Sequence, residues 1–522
     1  QRLPDCSMAA RTTGTMARRC SRDASSGTTP PYFPWVSNCE ATTEASTATP
    51  SSTTAAAVSS HEDSIPRMRT CSYCTAGAAP AGPAGSITLR WGVPFSPDSP
   101  RRIAARGREV DTKPAMFAAA TWLTLASAAC SIFSIAACQI LLAMALAALL
   151  LSGERLRLPP VWLPMVVFMG GTLVSLGLSD DPADGLSQIR KFYVWLMLLV
   201  VFSTFRDTRW VRRLYLTWGV AAAISALRAL VQFNEKLGDA RAVGRSFYEF
   251  YVAERITGFM SHWMTFSGQM MYVIIVLAAF LFFSPASRRG KAIWLLAMAA
   301  SGAALLLGFT RGIAFVATPA AAVYLIWFWK RKALLALPVL AVVAFLAAPA
   351  SVKARFTSIY QPGSADSNEF RRVAWATGLE MVREHPWFGL GPERVKGRFE
   401  EFVPPGTPRP LPEGWYGHLH NIYLHYAAER GIPTMLALMW FLGLIIRDFA
   451  RELSLLPPGR SEVKFVLHAG VAAVLATLVE GIFELNLGDS EILTMFLAIV
   501  GCGYVAVEQA RRERAKTAAA DA

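Results

Sequence analysis

The stretch Gly417-His418-Leu419-His420-Asn421-Ile422-Tyr423-Leu424 sets two imidazoles and an amide where a long polar segment meets an apolar run. Histidine exchanges protons near neutral pH, which makes it the usual general base. The plainer alternative is a pair of interfacial polar residues near a helix end. Arginine is the second recurring type. Arg241, Arg245 and Arg255 share one segment between apolar runs, and Arg311 sits in Gly308-Phe309-Thr310-Arg311-Gly312, squeezed between two such runs. Arg371 and Arg372 lie in the polar segment before His418. A charge with as few polar neighbours as Arg311 is costly near hydrocarbon and calls for a partner.

Guanidinium binds phosphate oxygens bidentately and keeps its charge at any working pH. Several arginines and a histidine facing one compartment therefore suit a ligand carrying phosphates. The alternative is that they bind lipid head groups or pair with Glu254, Glu369 and Glu384. Among the carboxylates, Asp180, Asp181 and Asp184 resemble acidic loops that hold a divalent cation, but no second cluster completes such a site, so no metal and no cofactor is expected. Glu480, Glu484 and Asp489 flank the end of the penultimate apolar run and could pair with arginines or orient a histidine. Glu429 follows His420 within the same run and is expected to face a bundle interior, since charges avoid lipid.

The elements that must carry these residues are membrane helices. Hydrophobic residues make up 53% of the chain and charged residues only 17%, more apolar surface than a soluble domain can hide. Apolar runs at 116–151, 160–178, 192–205, 214–233, 263–283, 292–309, 312–329, 333–350, 419–446, 465–483 and 490–508 approach the roughly 20 residues needed to cross a bilayer. The first, at roughly 54 Å of helix, is too long for one crossing and suits two short spans joined tightly. The net charge of +14 resides mostly in short clusters between runs, as topology signals do, and no basic helix or aromatic-basic platform supports nucleic-acid binding.

Alternate loops are basic: 101–113, Glu154-Arg155-Leu156-Arg157, 206–213, 288–291, 330–332, 447–464 and 511–516. The others are acidic, mixed or long: 180–184, 234–262, the turn at Arg311, 351–418 and 484–491. The reading is an all-α polytopic membrane protein with about twelve transmembrane helices, both ends cytoplasmic, and a large periplasmic loop at 351–418 containing short amphipathic helices. Within that loop Glu369 to Val382 has apolar residues at helical steps, and His385-Pro386 ends the helix because the residue before proline leaves the helical region. Gly389-Leu390-Gly391-Pro392 then turns the chain into a proline-rich ordered loop. A connector of about 65 residues is long enough to expect function in it.

Residues 1–115 differ from the rest: rich in Ser, Thr, Ala, Pro and Gly, aperiodic, and holding five of the eight cysteines (Cys6, Cys20, Cys39, Cys71 and Cys74). Such a composition cannot offset its ordering entropy, so a disordered tail is expected, with Met116 as the natural start. Cys71-Ser72-Tyr73-Cys74 has no second pair at zinc-site spacing. Cys130, Cys138 and Cys502 lie in apolar runs and read as packing residues. The expected organisation is therefore 1–115 tail, 116–510 transmembrane domain and 511–522 cytoplasmic tail.

The combination Arg371-Arg372-Val373-Ala374-Trp375, Glu384-His385-Pro386-Trp387-Phe388-Gly389-Leu390-Gly391, His418-Leu419-His420-Asn421-Ile422-Tyr423-Leu424 and Glu429-Arg430-Gly431 resembles the O-antigen ligase family, which groups with O-antigen polymerases and protein O-oligosaccharyltransferases. Arg255-Ile256-Thr257-Gly258-Phe259 and Thr310-Arg311-Gly312 resemble its upstream arginine signatures, and the likeness covers roughly 116–510. The resemblance implies an inverting, metal-independent glycosyltransferase of the bacterial inner membrane. It would move a glycan from an undecaprenyl diphosphate carrier to a lipid A-core sugar hydroxyl on the periplasmic face. It further implies His420 as general base, supported by His418 and Asn421, with Arg255, Arg311 and Arg371 on the diphosphate. Arg372 competes with Arg371 for that role, although the spacing to Trp375 favours Arg371, and His418 competes with His420. Rival readings are an O-antigen or exopolysaccharide polymerase, a protein O-oligosaccharyltransferase, or a transporter of a polyprenyl-linked lipid. The absence of a convincing repeat between the two halves weighs against transport.

Overall fold

A computed structural model describes residues 112–244, 246–357 and 367–521. The chain divides into units Gln1–Arg102 and Ile103–Ala522. The first unit lies outside the described residues, as do the five N-terminal cysteines, Arg245 and all but residues 112–115 of the tail expected over 1–115, where α1 already begins at Lys113.

Among the described residues the protein is all helix. The first apolar run divides into α1 (Lys113–Cys130) and α2 (Ile135–Leu151), packed against each other as the expected hairpin. Ser134 makes that break by capping α2, its hydroxyl accepting from Ala137 N at 3.3 Å. Next come α3 (Trp162–Gly177), α4 (Pro182–Arg190), α5 (Phe192–Thr204) and α6 (Thr208–Val243). Then follow α7 (Phe247–Ala253), α8 (Trp263–Phe283), α9 (Arg288–Leu307), α10 (Thr318–Lys330), α11 (Leu337–Ala347) and α12 (Ala350–Thr357). The polar segment contributes α13 (Ser367–Glu384) and α14 (Arg394–Arg398), and the chain closes with α15 (Ile422–Ser454), α16 (Glu462–Glu480) and α17 (Ser490–Asp521).

Seven helical segments are long and apolar enough to cross a membrane: Pro182–Thr204, α6, α8, α9, α15, α16 and α17. The remaining apolar runs form shorter helices, such as α2 with 17 residues and α3 with 16. At 1.5 Å per residue these rise about 25 Å, close to the hydrocarbon thickness. The runs at 312–329 and 333–350 yield α10 and α11 of only 13 and 11 residues, flanked by a π-helical turn and a 3-10 segment. Two element ends differ from expectation. The 214–233 run continues as helix to Val243, and α17 extends through the expected tail to Asp521.

The centre of the bundle is α8, α16 and α17, with α17 also on α5 and α15 on α3. Outward faces stay apolar: Leu151 is 71% exposed, Leu296 70% and Leu346 67%, and α11 buries none of its residues. Such a belt would drive aggregation in water and is matched by lipid tails. The chain is a multi-pass membrane protein.

The segment from α13 to His420 has its own apolar core, built on Ala374, Met381, Leu390, Val395, Phe399, Phe402 and Leu419. α13 stops at Glu384, directly before His385-Pro386, as the proline requires. This segment is pinned to α15 at an interruption of that helix. Gly431 has φ 81° and ψ 159°, and Pro433 has no N–H for the Glu429 carbonyl. The freed groups find new partners: Leu390 N donates to Ala428 O (2.9 Å), Gly391 N to Glu429 O (2.9 Å) and Ile432 N to Pro386 O (2.8 Å). Ser175 Oγ of α3 donates to the same Glu429 carbonyl at 2.8 Å. The approach admits no side chain, since a Cβ on Gly431 would sit 2.0 Å from the Trp387 carbonyl oxygen. The His-Pro-x-x-Gly-x-Gly and Glu-x-Gly patterns are thus two halves of one backbone junction.

Candidate active site

The site forms where α15 begins, α16 ends and α13 crosses. Asn421 caps α15: its Oδ1 accepts from Leu424 N at 2.9 Å, and its Nδ2 donates to Ile482 O at 3.1 Å in the turn after α16. Its side chain therefore positions the residue before it. His420 has φ 48°, a left-handed conformation costly for a residue with a Cβ, and this aims the imidazole at the same turn. Nδ1 of His420 lies 2.9 and 3.0 Å from the Glu484 carboxylate oxygens. A carboxylate can only accept, so Nδ1 carries a proton toward Glu484, and in the neutral ring Nε2 would then hold the lone pair. Nε2 lies 3.4 Å from the Trp415 carbonyl, which can only accept, so Nε2 must turn away from that oxygen to act as a base.

His418 completes the group. Its ring centroid lies 4.0 Å from that of His420, its Nδ1 accepts from His420 N at 3.1 Å, and its Nε2 is 3.5 Å from Glu484. Burial first, then repulsion from His420, pushes the His418 pKa down to about 4, so it stays neutral. Glu484 is 6% exposed. Burial would raise its pKa, but the hydrogen bond from His420, with the neighbouring imidazoles and the Arg371 guanidinium, prevails and holds it at about 2. The carboxylate is ionised at neutral pH and the assignment of His420 Nδ1 as donor follows from that.

Arg371 reaches Glu484 from α13, with Nη2 3.7 Å from Oε2, whereas Arg372 lies on the exposed side of the same helix. One turn earlier on α13, Asn368 Oδ1 accepts from Arg311 Nη2 at 3.2 Å. Asn368 and Arg371 at i, i+3 share a helix face, so α13 links the histidine group to Arg311. Arg311 belongs to a second cluster. Burial first, then the nearby Arg355 and Arg311 guanidiniums, depresses the Arg255 pKa. Arg255 lies over the Trp263 ring at 4.9 Å, and Arg355, 8% exposed, donates from Nε to the Phe309 carbonyl at 3.1 Å. Phe309 has φ 52°, a turn that directs its carbonyl toward Arg355. Three partly buried guanidiniums near one another bring together groups that can bind phosphate oxygens.

The other sequence candidates separate. Asp180, Asp181 and Asp184 surround Arg394 of α14: Arg394 Nε donates to Asp180 Oδ1 and Nη1 to Asp184 Oδ2, both at 2.8 Å. The hydrogen bond from Arg394 draws the Asp180 pKa down. These acids clamp the α13–α14 segment to the turn before α4. Glu254 pairs with Lys236 at 2.9 Å. Glu429, 1% exposed, accepts from Glu393 N at 2.7 Å and lies 3.4 Å from His425, so it braces the junction from inside. Arg241 is exposed near the end of α6. His418, His420 and Glu484 also form a donor set suited to a metal ion, with ligand atoms within 4.8 Å of one another.

Sequence reasoning did not single out Arg355 or Asn368. Arg355 follows an apolar run beside Lys353 and resembles an ordinary flanking charge; its burial is a tertiary property. Glu484 was one of three acids with no local feature to separate them.

The fold and site define a polytopic helical membrane protein in which α13 links a carboxylate-oriented histidine to a group of arginines. Residues 296–439 match the O-antigen ligase family model, Wzy_C, so this stretch is similar to O-antigen ligases. That match supports an O-antigen ligase or polymerase-type function, with lipid-linked glycans as the substrate class. No curated protein matches the chain.

Proposed function

We propose that the protein transfers a glycan from an undecaprenyl diphosphate carrier to a lipid A-core sugar hydroxyl, as an inverting ligase of the bacterial inner membrane working on its periplasmic face. The observation that carries this reading is the pairing of the His420–Glu484 dyad with the Arg255–Arg311–Arg355 cluster through α13.

His420 Nε2 takes the proton of the acceptor hydroxyl as its oxygen attacks the anomeric carbon. The bond from that carbon to the diphosphate oxygen breaks on the opposite face, and the electron pair leaves with the carrier. Glu484 stabilises the imidazolium that forms and holds the ring in place. Arg311, Arg255 and Arg355 neutralise charge developing on the diphosphate, and Arg371 stands between the two groups. His418 and Asn421 hold His420 rather than touch the donor. The basic-loop alternation of the sequence supports the periplasmic placement.

The test is reconstitution of the full chain with a polyprenyl diphosphate-linked glycan and purified lipid A-core. Appearance of the joined product, absent with His420→Ala, is expected. Elongation of the carrier-linked glycan with no transfer to lipid A-core would instead identify a polymerase.

A further inference from the structure

At the end of the bundle opposite His420, a cavity of about 720 Å³ opens between α8, α10, α15 and α16. Its wall is apolar and aromatic: Phe282 stacks on Trp329 at 4.5 Å, and Phe283 stacks on His468 at 4.0 Å. Tyr324 OH and His468 Nδ1, 3.0 Å apart, satisfy each other, so the polar atoms of the wall are already engaged. The cavity is half open to the outside of the bundle, so its apolar lining is left for something to cover. Water would gain few partners from such a surface, whereas an acyl chain matches it.

The mouth is cationic. Lys330 ends α10 and Lys464 lies in the first turn of α16, with Arg460 just before it, and all three line the cavity. Lys464 is steadied by the Gly459 carbonyl at 2.9 Å. Arg460 is exposed and makes no hydrogen bond or ion pair with the described residues. Carboxylates do not line this rim, so its charge complements an anion at the depth where lipid head groups lie.

We propose that this cavity binds an anionic phospholipid, one acyl chain between Phe328 and Val471 and the phosphate against Arg460 with Lys330 and Lys464. The site lies about 27 Å from the catalytic end along α16 and is independent of the transfer reaction. Bound there, the lipid fills the gap between α10 and α15 that side chains leave open.

The purified full chain in lipid nanodiscs is irradiated with phosphatidylglycerol carrying a diazirine on one acyl chain. A parallel arm uses phosphatidylcholine with the same chain, and cross-linked peptides are mapped. The expected result is labelling concentrated in 324–330 and 446–475, several-fold higher for phosphatidylglycerol. It should fall several-fold in Arg460→Ser, which alters an exposed side chain only. Val471→Trp, which fills the cavity, should remove the labelling by both lipids. Excess inorganic phosphate should leave the phosphatidylglycerol labelling in place. Equal labelling by the two lipids, labelling spread evenly over the outer helices, no effect of Arg460→Ser, or displacement by phosphate would each overturn the proposal.

Discussion

The His420 Nδ1 and Glu484 Oε1 atoms stand 2.9 Å apart, joining the start of one membrane helix to the turn that ends the next. Glu484 also meets Arg371 from α13, so one buried carboxylate ties three elements together at the point where chemistry is expected. Removing it should disturb orientation and charge at once.

His420→Ala should abolish glycan transfer, and Glu484→Gln should lower its rate by about 10²–10⁴-fold, the range for loss of a general base. Both proteins should reach the membrane in normal amount. Transfer assayed in membranes normalised by immunoblot decides this; wild-type turnover by either variant contradicts the dyad.

Arg311→Lys replaces a bidentate contact by a point charge and should reduce kcat/KM for the donor by about 10–100-fold, corresponding to roughly 1.5–3 kcal/mol for a charged hydrogen bond. Arg355→Lys should behave alike. Arg371→Ala should be impaired while Arg372→Ala stays near wild type, because only Arg371 faces Glu484. Initial rates at varied donor concentration separate the four.

Acid should destabilise the site in two windows. His418 has a folded pKa of about 4 against an ordinary 6.5, so the unfolded chain binds the extra proton between these values and stability falls as pH drops through them. Glu484, held at about 2 against an ordinary 4.5, adds a further loss of the same sign between 4.5 and 2. Thermal unfolding in detergent at pH 7.5, 5.5 and 4.5 should show a falling midpoint, with a shallower fall in His418→Gln.

Gly431→Ala should destabilise the junction between the α13–α14 segment and α15 by at least about 1–3 kcal/mol, since its backbone conformation is nearly confined to glycine. The added Cβ would also strike the Trp387 carbonyl. A lowered unfolding midpoint and faster proteolysis within 385–420 are the expected readouts.

Transfer should persist in excess chelator if the arginines alone neutralise the diphosphate. Strict dependence on an added divalent cation would instead assign the His418, His420 and Glu484 donor set to a metal. Asp180 and its neighbours are already engaged by Arg394.

Local chain chemistry alone determined much of this protein. Length and hydropathy of the apolar runs declared a helical membrane bundle, Pro386 marked the end of α13, and His420, Arg311 and Arg371 were conspicuous by residue type in apolar or interfacial surroundings. These are properties of a residue and its near neighbours, which a helical period reports directly. Partnership is different. Glu484 reaches His420 across 64 positions, Gly391 closes on Glu429, Arg394 occupies the Asp180 cluster, and Arg355 joins Arg255 and Arg311. The form of the crossing helices was likewise decided in space, where a π-helical turn opens the 312–329 run and a 3-10 segment leads into the 333–350 run. Such pairings depend on which helix ends meet, and that is set by packing of the whole bundle, to which each short stretch of chain contributes only a face.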